Sequence, residues 1–174
     1  MKGLYLQLLL TLKTNFLNFS YLSIHSLIRW FVLIALVLSL IRAYQGWIKN
    51  KSKNTFDKIL EKFILFFLNL QLLLGLFLYI KSPIVHYFLQ NFKTSLPQTE
   101  LRFFGMEHIT AMIISVFLIN IGIYKANKKP RKTLYFKTIA LWFTPAFIII
   151  FCSIPWSFSP FTSRPDFRFL TDLL

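Results

Sequence analysis

Four long apolar stretches separated by short polar connections dominate the chain. They lie at about residues 21–43, 59–80, 102–124 and 134–154. Each is close to the length of about 20 apolar residues that a helix needs to cross the hydrocarbon core of a bilayer. Ser82-Pro83 ends the second stretch and Pro155 ends the fourth, because proline cannot continue the helical hydrogen-bond ladder. The pattern predicts an all-α integral membrane protein, a four-helix bundle with up-down-up-down topology.

The first 20 residues differ from the four stretches. Lys13 and Asn15 interrupt their apolar patch too early for a span, and no small-residue cleavage site of a signal peptide follows it. We predict an N-terminal interfacial helix or extension over residues 1–20. The bundle then occupies residues 21–156, and residues 157–174 form an aromatic-rich tail along the outer interface.

Composition supports the membrane class. Of the 174 residues 56% are hydrophobic and only 15% are charged, and 21 are Phe, which excludes an ordinary soluble domain. The net charge of +14 alone would suit nucleic-acid binding. The basic residues lie between the apolar stretches, however, as topology signals and lipid-headgroup contacts do. The expected partner is the lipid bilayer and not nucleic acid.

The distribution of basic residues predicts an orientation. More than half of the 20 Lys and Arg residues fall in the two short connections after the first and third stretches. By the positive-inside rule these connections are cytoplasmic. We therefore expect a multi-pass protein of the bacterial cytoplasmic (inner) membrane. Both termini, and the long connection that contains His86, would then be periplasmic.

Ionisable residues cluster where the first and third stretches enter the membrane: His25 and Arg29 in one, and Arg102, Glu107 and His108 in the other. Such groups are costly at this depth, which makes them functional-site candidates. The two spans run in the same direction, so His25, about four residues in, and His108, about six residues in, reach similar depth. Imidazoles approaching from two parallel helices suit the axial positions of a six-coordinate b-type haem. Both histidines are the predicted metal ligands.

Neighbouring residues suggest supporting roles. Arg29 and Arg102 would compensate the charge of the haem propionates. Gly105 shares a helix face with His108 and would leave room for the macrocycle. Glu107 is the candidate catalytic residue, orienting a ligand or handling a proton. The resulting hypothesis is electron transfer through one haem b near the outer face, with quinol or other membrane subunits as candidate partners.

Two alternatives remain open. Histidines near helix ends also hydrogen-bond across bundles, and an Arg29–Glu107 ion pair would stabilise packing without a cofactor. The protein would then be a non-redox structural or assembly subunit of a membrane complex. Alternatively, His25, Glu107 and His108 would form an outer-facing copper or zinc site, since imidazole and carboxylate suit such ions.

The second stretch contains a few polar or small residues. Asn69 and Gln71 point to different faces because they are two positions apart. Asn69 is predicted to cross-link helices, and Gln71, with Gly75 one turn later, is the better candidate for lining a cavity. The chain has no Gly-rich phosphate loop, zinc-protease signature or nucleophile elbow, so the sequence leaves open whether the protein is an enzyme.

Four short motifs carry a resemblance to a known family. They are His25-Ser26-Leu27-Ile28-Arg29-Trp30, Gln71-Leu72-Leu73-Leu74-Gly75, Leu101-Arg102-Phe103-Phe104 followed by Glu107-His108, and Ser153-Ile154-Pro155-Trp156. Over about residues 21–156 the chain resembles small bacterial four-helix membrane proteins labelled cytochrome b-like. The resemblance implies a haem-binding bundle with His25 and His108 as the matching axial candidates.

Overall fold

All regular secondary structure in the described part of the chain is helical. The computed structural model describes residues 2–130, 132–162 and 164, and for residues 2–20, 132 and 133 it describes the backbone alone. The elements in chain order are α1 (Lys2–Ile48), α2 (Thr55–Lys81), α3 (Pro83–Gln90), α4 (Phe92–Ser95), α5 (Thr99–Arg102), a π-helical turn (Phe103–Glu107), α6 (His108–Asn127) and α7 (Lys132–Cys152).

Four segments among the described residues are long and apolar enough to cross a membrane. They are Tyr21–Ile48, Thr55–Lys81, Thr99–Asn127 and Leu134–Cys152. The predicted all-α bundle with four spans is confirmed. Several helix ends lie a few residues beyond the predicted bounds, because hydropathy marks the part of a helix that crosses hydrocarbon and not its last hydrogen bond.

The predicted boundary at residue 20 does not coincide with a helix end. The backbone of α1 continues from Lys2 to Ile48 without a break. The segment predicted as an interfacial helix is therefore helical but joined directly to the first span.

The four spans form a closed ring of neighbours. α1 packs against α2 and α7, and α6 packs against the same two helices. The parallel spans α1 and α6 are therefore diagonal to each other across the bundle. Leu36, Ile64, Ile119 and Ala146 contribute one side chain from each span, and each is at most 1% exposed. These side chains close the centre of the bundle.

A pair of polar side chains links two spans inside the bundle. Asn69 of α2 and Asn120 of α6 lie amide to amide at 3.5 Å, which confirms Asn69 as a cross-link between helices. Membrane bundles use such side-chain hydrogen bonds between helices, each contributing about 1 kcal/mol.

We call the end formed by the α1–α2 and α6–α7 connections the basic end, for its exposed Lys49, Lys51 and Lys129. Two acidic residues of α2 organise it. Asp57, with a side chain only 4% exposed, accepts two hydrogen bonds of 2.9 Å from Arg42 of α1. Glu61 accepts from three groups outside α2: Lys53 at 2.6 Å, Asn127 at 2.5 Å and Tyr135 at 2.9 Å.

Replacing Asp57 by Ala should destabilise the bundle by about 2 kcal/mol, because the partly buried Arg42 would lose its carboxylate and the backbone N–H of Asn54 would lose its capping acceptor. Denaturant or thermal unfolding of the protein in detergent micelles measures this loss. Lys58→Ala is the matched control, since Lys58 is the exposed next residue of the same helix and its loss should change stability by less than about 0.5 kcal/mol. Equal stability of the Asp57→Ala variant and the native chain would contradict the role of the pair.

Candidate functional site

A cavity of about 460 Å³ lies at the end of the bundle opposite to the basic end. We call this the cavity end; it is formed by the α2–α6 connection and the residues after α7. Leu36, Ile64 and Ile119 fill the bundle centre deeper in, whereas the cavity is lined by the small residues Ser26 and Gly75 among others. Its volume falls within the range of about 300–1,000 Å³ typical of small-molecule and cofactor sites.

The two histidines predicted as ligands line this same cavity. His25 comes from α1, and His108 is the first residue of α6, on the diagonally opposite helix. Gln71 and Gly75 of α2 line it as well, as predicted for them. The arrangement places imidazole groups on two sides of one space.

His108 is held by the other end of the chain. Its Nδ1 lies 2.7 Å from the carbonyl oxygen of Ser153, directly after α7. Because a carbonyl only accepts, Nδ1 carries the proton, and the lone pair of the neutral ring is on Nε2. Histidines that ligate metals commonly donate their second ring N–H to a carbonyl in this way, which fixes the tautomer and the ring orientation.

His25 is positioned by α2. The side-chain amide of Gln71 donates to the backbone carbonyl of His25 at 2.9 Å. A Cβ at Gly75 would lie 3.2 Å from Cε1 of the His25 ring, so the missing side chain makes room for that ring. Among the described residues, Oε1 of Gln71 is buried without a hydrogen-bond partner. A bound donor group would satisfy it.

A π-helical turn, Phe103–Glu107, immediately precedes His108. Such turns are rare and are frequent at functional sites, because the wider turn changes the faces that neighbouring residues share. The hydroxyl of Tyr79, itself a lining residue, donates to the carbonyl of Gly105 within this turn at 2.8 Å. The turn therefore sets where His108 lies relative to the residues before it.

Gly105 is consequently not part of the cavity lining. A Cβ at this position would lie 2.3 Å from the ring of Phe88 in α3. The room expected for a macrocycle is filled by Phe88, which is 1% exposed. Gly105 instead allows α3 to pack closely against the start of the third span.

Arg102 and Glu107 are also outside the lining. They form an ion pair, with Arg102 Nε and Glu107 Oε1 at 2.5 Å, and Arg102 additionally donates to the carbonyl of Leu96 at 2.9 Å. Both side chains are about one third exposed. Glu107, the predicted catalytic residue, and Arg102, a predicted propionate partner, therefore contact each other beside the α4–α5 connection and do not line the cavity.

The charged residues of the described cavity lining are all cationic. Arg29, Lys81 and Arg164 line it, and the described lining residues include no Asp or Glu. The guanidinium of Arg29 lies 5.6 Å and 5.5 Å from the ring centroids of Trp30 and Trp156, in cation–π contact.

Much of the remaining lining is aliphatic: Val32, Leu68, Leu72, Met112, Ile150 and Ile154. An apolar wall with cations suits an amphipathic anion, and the two imidazoles suit a metal that such a ligand carries. Sequence reasoning missed Lys81 and Arg164. A lysine at the end of a span, such as Lys81, is common at the membrane interface and does not by itself indicate a site. The position of Arg164 depends on the path of the chain after α7, which the sequence pattern does not indicate.

Comparison with protein-family models, with curated proteins and with solved structures finds no match to this chain. Within the part of the chain that the structure describes, no three His, Cys, Asp or Glu side chains are grouped as a metal site would require. The predicted copper or zinc alternative needs Glu107 beside both histidines, and that carboxylate contacts Arg102.

The convergence of α1 and α6 on one cavity predicts a chemical cross-link. In a Cys152→Ser background, His25→Cys combined with His108→Cys should be joined by a short bifunctional thiol reagent. Cleavage at a protease site engineered near Gln98 then leaves the two fragments connected on a gel.

The matched control pairs His25→Cys with Ile114→Cys, because Ile114 lies on α6 with 46% of its surface exposed. This pair should separate after cleavage. If both pairs cross-link equally, or neither does, the two histidine positions do not share a cavity.

Proposed function

We propose that this protein is a cytochrome b-like membrane protein that holds one haem b in the cavity and passes single electrons near one face of the membrane. The observation that carries the proposal is the position of His25 and His108 on diagonal, parallel helices, both lining one cavity whose described charged residues are all cationic. Haem b, when bound, would supply a one-electron redox centre, and His25 and His108 would hold its iron.

The residues of the cavity fit this group. His108 keeps a lone pair on Nε2 while Ser153 holds Nδ1, as an axial ligand requires. Gly75 leaves space for the His25 ring. The aliphatic part of the lining would contact the macrocycle and exclude water from it, and this favours retention of an apolar ring system.

The propionate partners in this proposal differ from those expected from the sequence. Arg29 stays a candidate because it lines the cavity, whereas Arg102 is engaged by Glu107 and by a carbonyl. Lys81 and Arg164, which line the cavity, take its place as candidate propionate partners. Guanidinium and ammonium groups bind carboxylates through charge-assisted hydrogen bonds.

The proposal includes the membrane, the orientation of the protein and the face at which electrons are exchanged. We infer a bacterial cytoplasmic membrane, with the basic end in the cytoplasm and both termini in the periplasm, from the positive-inside rule. The cavity would then exchange electrons near the periplasmic face, with quinol or another membrane subunit as the partner.

Absorption spectroscopy tests the haem. The purified protein, expressed with ample haem and reduced with dithionite, should show sharp b-type bands. His25→Ala and His108→Ala should each abolish these bands, because either change removes one axial ligand. His86→Ala is the matched control: His86 is exposed on α3 and outside the cavity lining, so its replacement should leave the spectrum unchanged.

A colourless protein under these conditions would refute the redox proposal and favour a structural subunit. Elemental analysis of the same sample adds a second decision. Stoichiometric copper or zinc without iron would favour the metal-site alternative over haem.

Thiol labelling tests the orientation. In a Cys152→Ser background, an impermeant reagent applied to spheroplasts should label Gln90→Cys, at the cavity end. Lys129→Cys, at the basic end, should react only after the membrane is permeabilised. Both positions are exposed, so access to the membrane side decides the result. The reverse pattern would contradict a periplasmic cavity.

A further inference from the structure

The chain after α7 folds back onto the start of the third span. The ring of Trp156 contacts the ring of Trp30 in α1 edge-on, with centroids 5.8 Å apart, and the ring of Phe161 stacks on Phe103 at 6.3 Å. Trp156 is 8% exposed, and Thr162 between this aromatic anchor and Arg164 is 9% exposed. These contacts attach the segment 156–162 to the bundle and carry Arg164 to the cavity.

Arg164 makes two further contacts. Its guanidinium forms an ion pair with Glu100 of α5 and lies 5.3 Å from the ring centroid of Phe104. The Arg164 and Glu100 side chains are 32% and 50% exposed, respectively. Exposed ion pairs contribute little, about 0–1 kcal/mol, because water screens them. Another anion at the cavity edge can therefore compete with Glu100 for this guanidinium.

We propose that Arg164 binds the anionic group of the cavity ligand and that Glu100 competes with that group. This inference depends on the proposed haem function, in which the anion is a propionate. A guanidinium has five N–H donors in a planar fork, so it can bind a propionate in two-point contact and give up part of its contact with Glu100. Removal of the Arg164 side chain should therefore weaken ligand retention, and removal of the Glu100 carboxylate should strengthen it.

Haem release from the full-length holoprotein measures this competition. The protein in detergent is mixed with excess apomyoglobin, and the transfer rate is followed by absorbance. Arg164→Gln should release haem about fivefold faster, the effect of losing about 1 kcal/mol from one propionate contact. Glu100→Gln should release it more slowly than the native chain, because Arg164 is then available to the propionate alone. Arg164→Lys should fall between the native chain and Arg164→Gln.

A matched control on each side separates binding from packing. Lys93 is an exposed cation in the α2–α6 connection, which also contains Glu100, and it does not line the cavity. Lys93→Gln should therefore leave the rate of haem release unchanged. On the ligand side, the dimethyl ester of haemin has no propionate charge. Reconstituted with this ester, Arg164→Gln and the native chain should release it at the same rate.

The outcomes distinguish this inference from the proposed function. A native chain that binds no haemin would overturn both. A b-type spectrum with the same release rate in the native chain and Arg164→Gln would overturn only the role of Arg164. Equal acceleration for haemin and for its dimethyl ester would show a packing effect and would also overturn it.

Discussion

The cost of placing charge inside an apolar helix bundle determines how this structure is organised. A cation among membrane helices needs an anion, an aromatic face or a polar cavity near it. At the basic end, Arg42 has Asp57, and Glu61 has Lys53. At the cavity end, Arg29, Lys81 and Arg164 line a cavity whose described lining lacks carboxylates. The buried acidic residues at the basic end are therefore paired with cations, whereas the charged residues that line the cavity are all cationic and favour an anionic ligand.

The four spans pack in a ring, and this arrangement decides which helices face each other across the cavity. Antiparallel neighbours contact each other directly, whereas the parallel helices α1 and α6 face each other diagonally. Bulky side chains such as Leu36 and Ile119 fill the diagonal in the bundle centre, whereas a cavity of about 460 Å³ lies beside Gly75 and Ser26. Histidines on the diagonal helices consequently approach the cavity from separate sides. Equal depth alone would not bring two histidines to one ligand. Their position on diagonal helices, beside one cavity, is what allows them to share it.

Sequence reasoning anticipated more of the fold than of the site. Continuous apolar stretches predict spans because hydrocarbon leaves few other structures available to the backbone. Depth along a helix follows from residue number, and His25 and His108, which the sequence predicts at similar depth, line the same cavity. The faces of the third span were not predictable, because the π-helical turn at Phe103–Glu107 breaks the α-helical spacing that assigned Gly105 to the face of His108.

The amino-acid sequence by itself determined the four apolar segments, the excess of positive charge in two connections and the depth of the two histidines, since each follows from composition along a single helix. Only the tertiary structure decided that Phe88 occupies the space beside Gly105 and that Arg164 lies at the cavity. These facts depend on how separate segments pack against one another. Contacts between residues distant in sequence leave no periodic signal in the chain, so packing alone selects them.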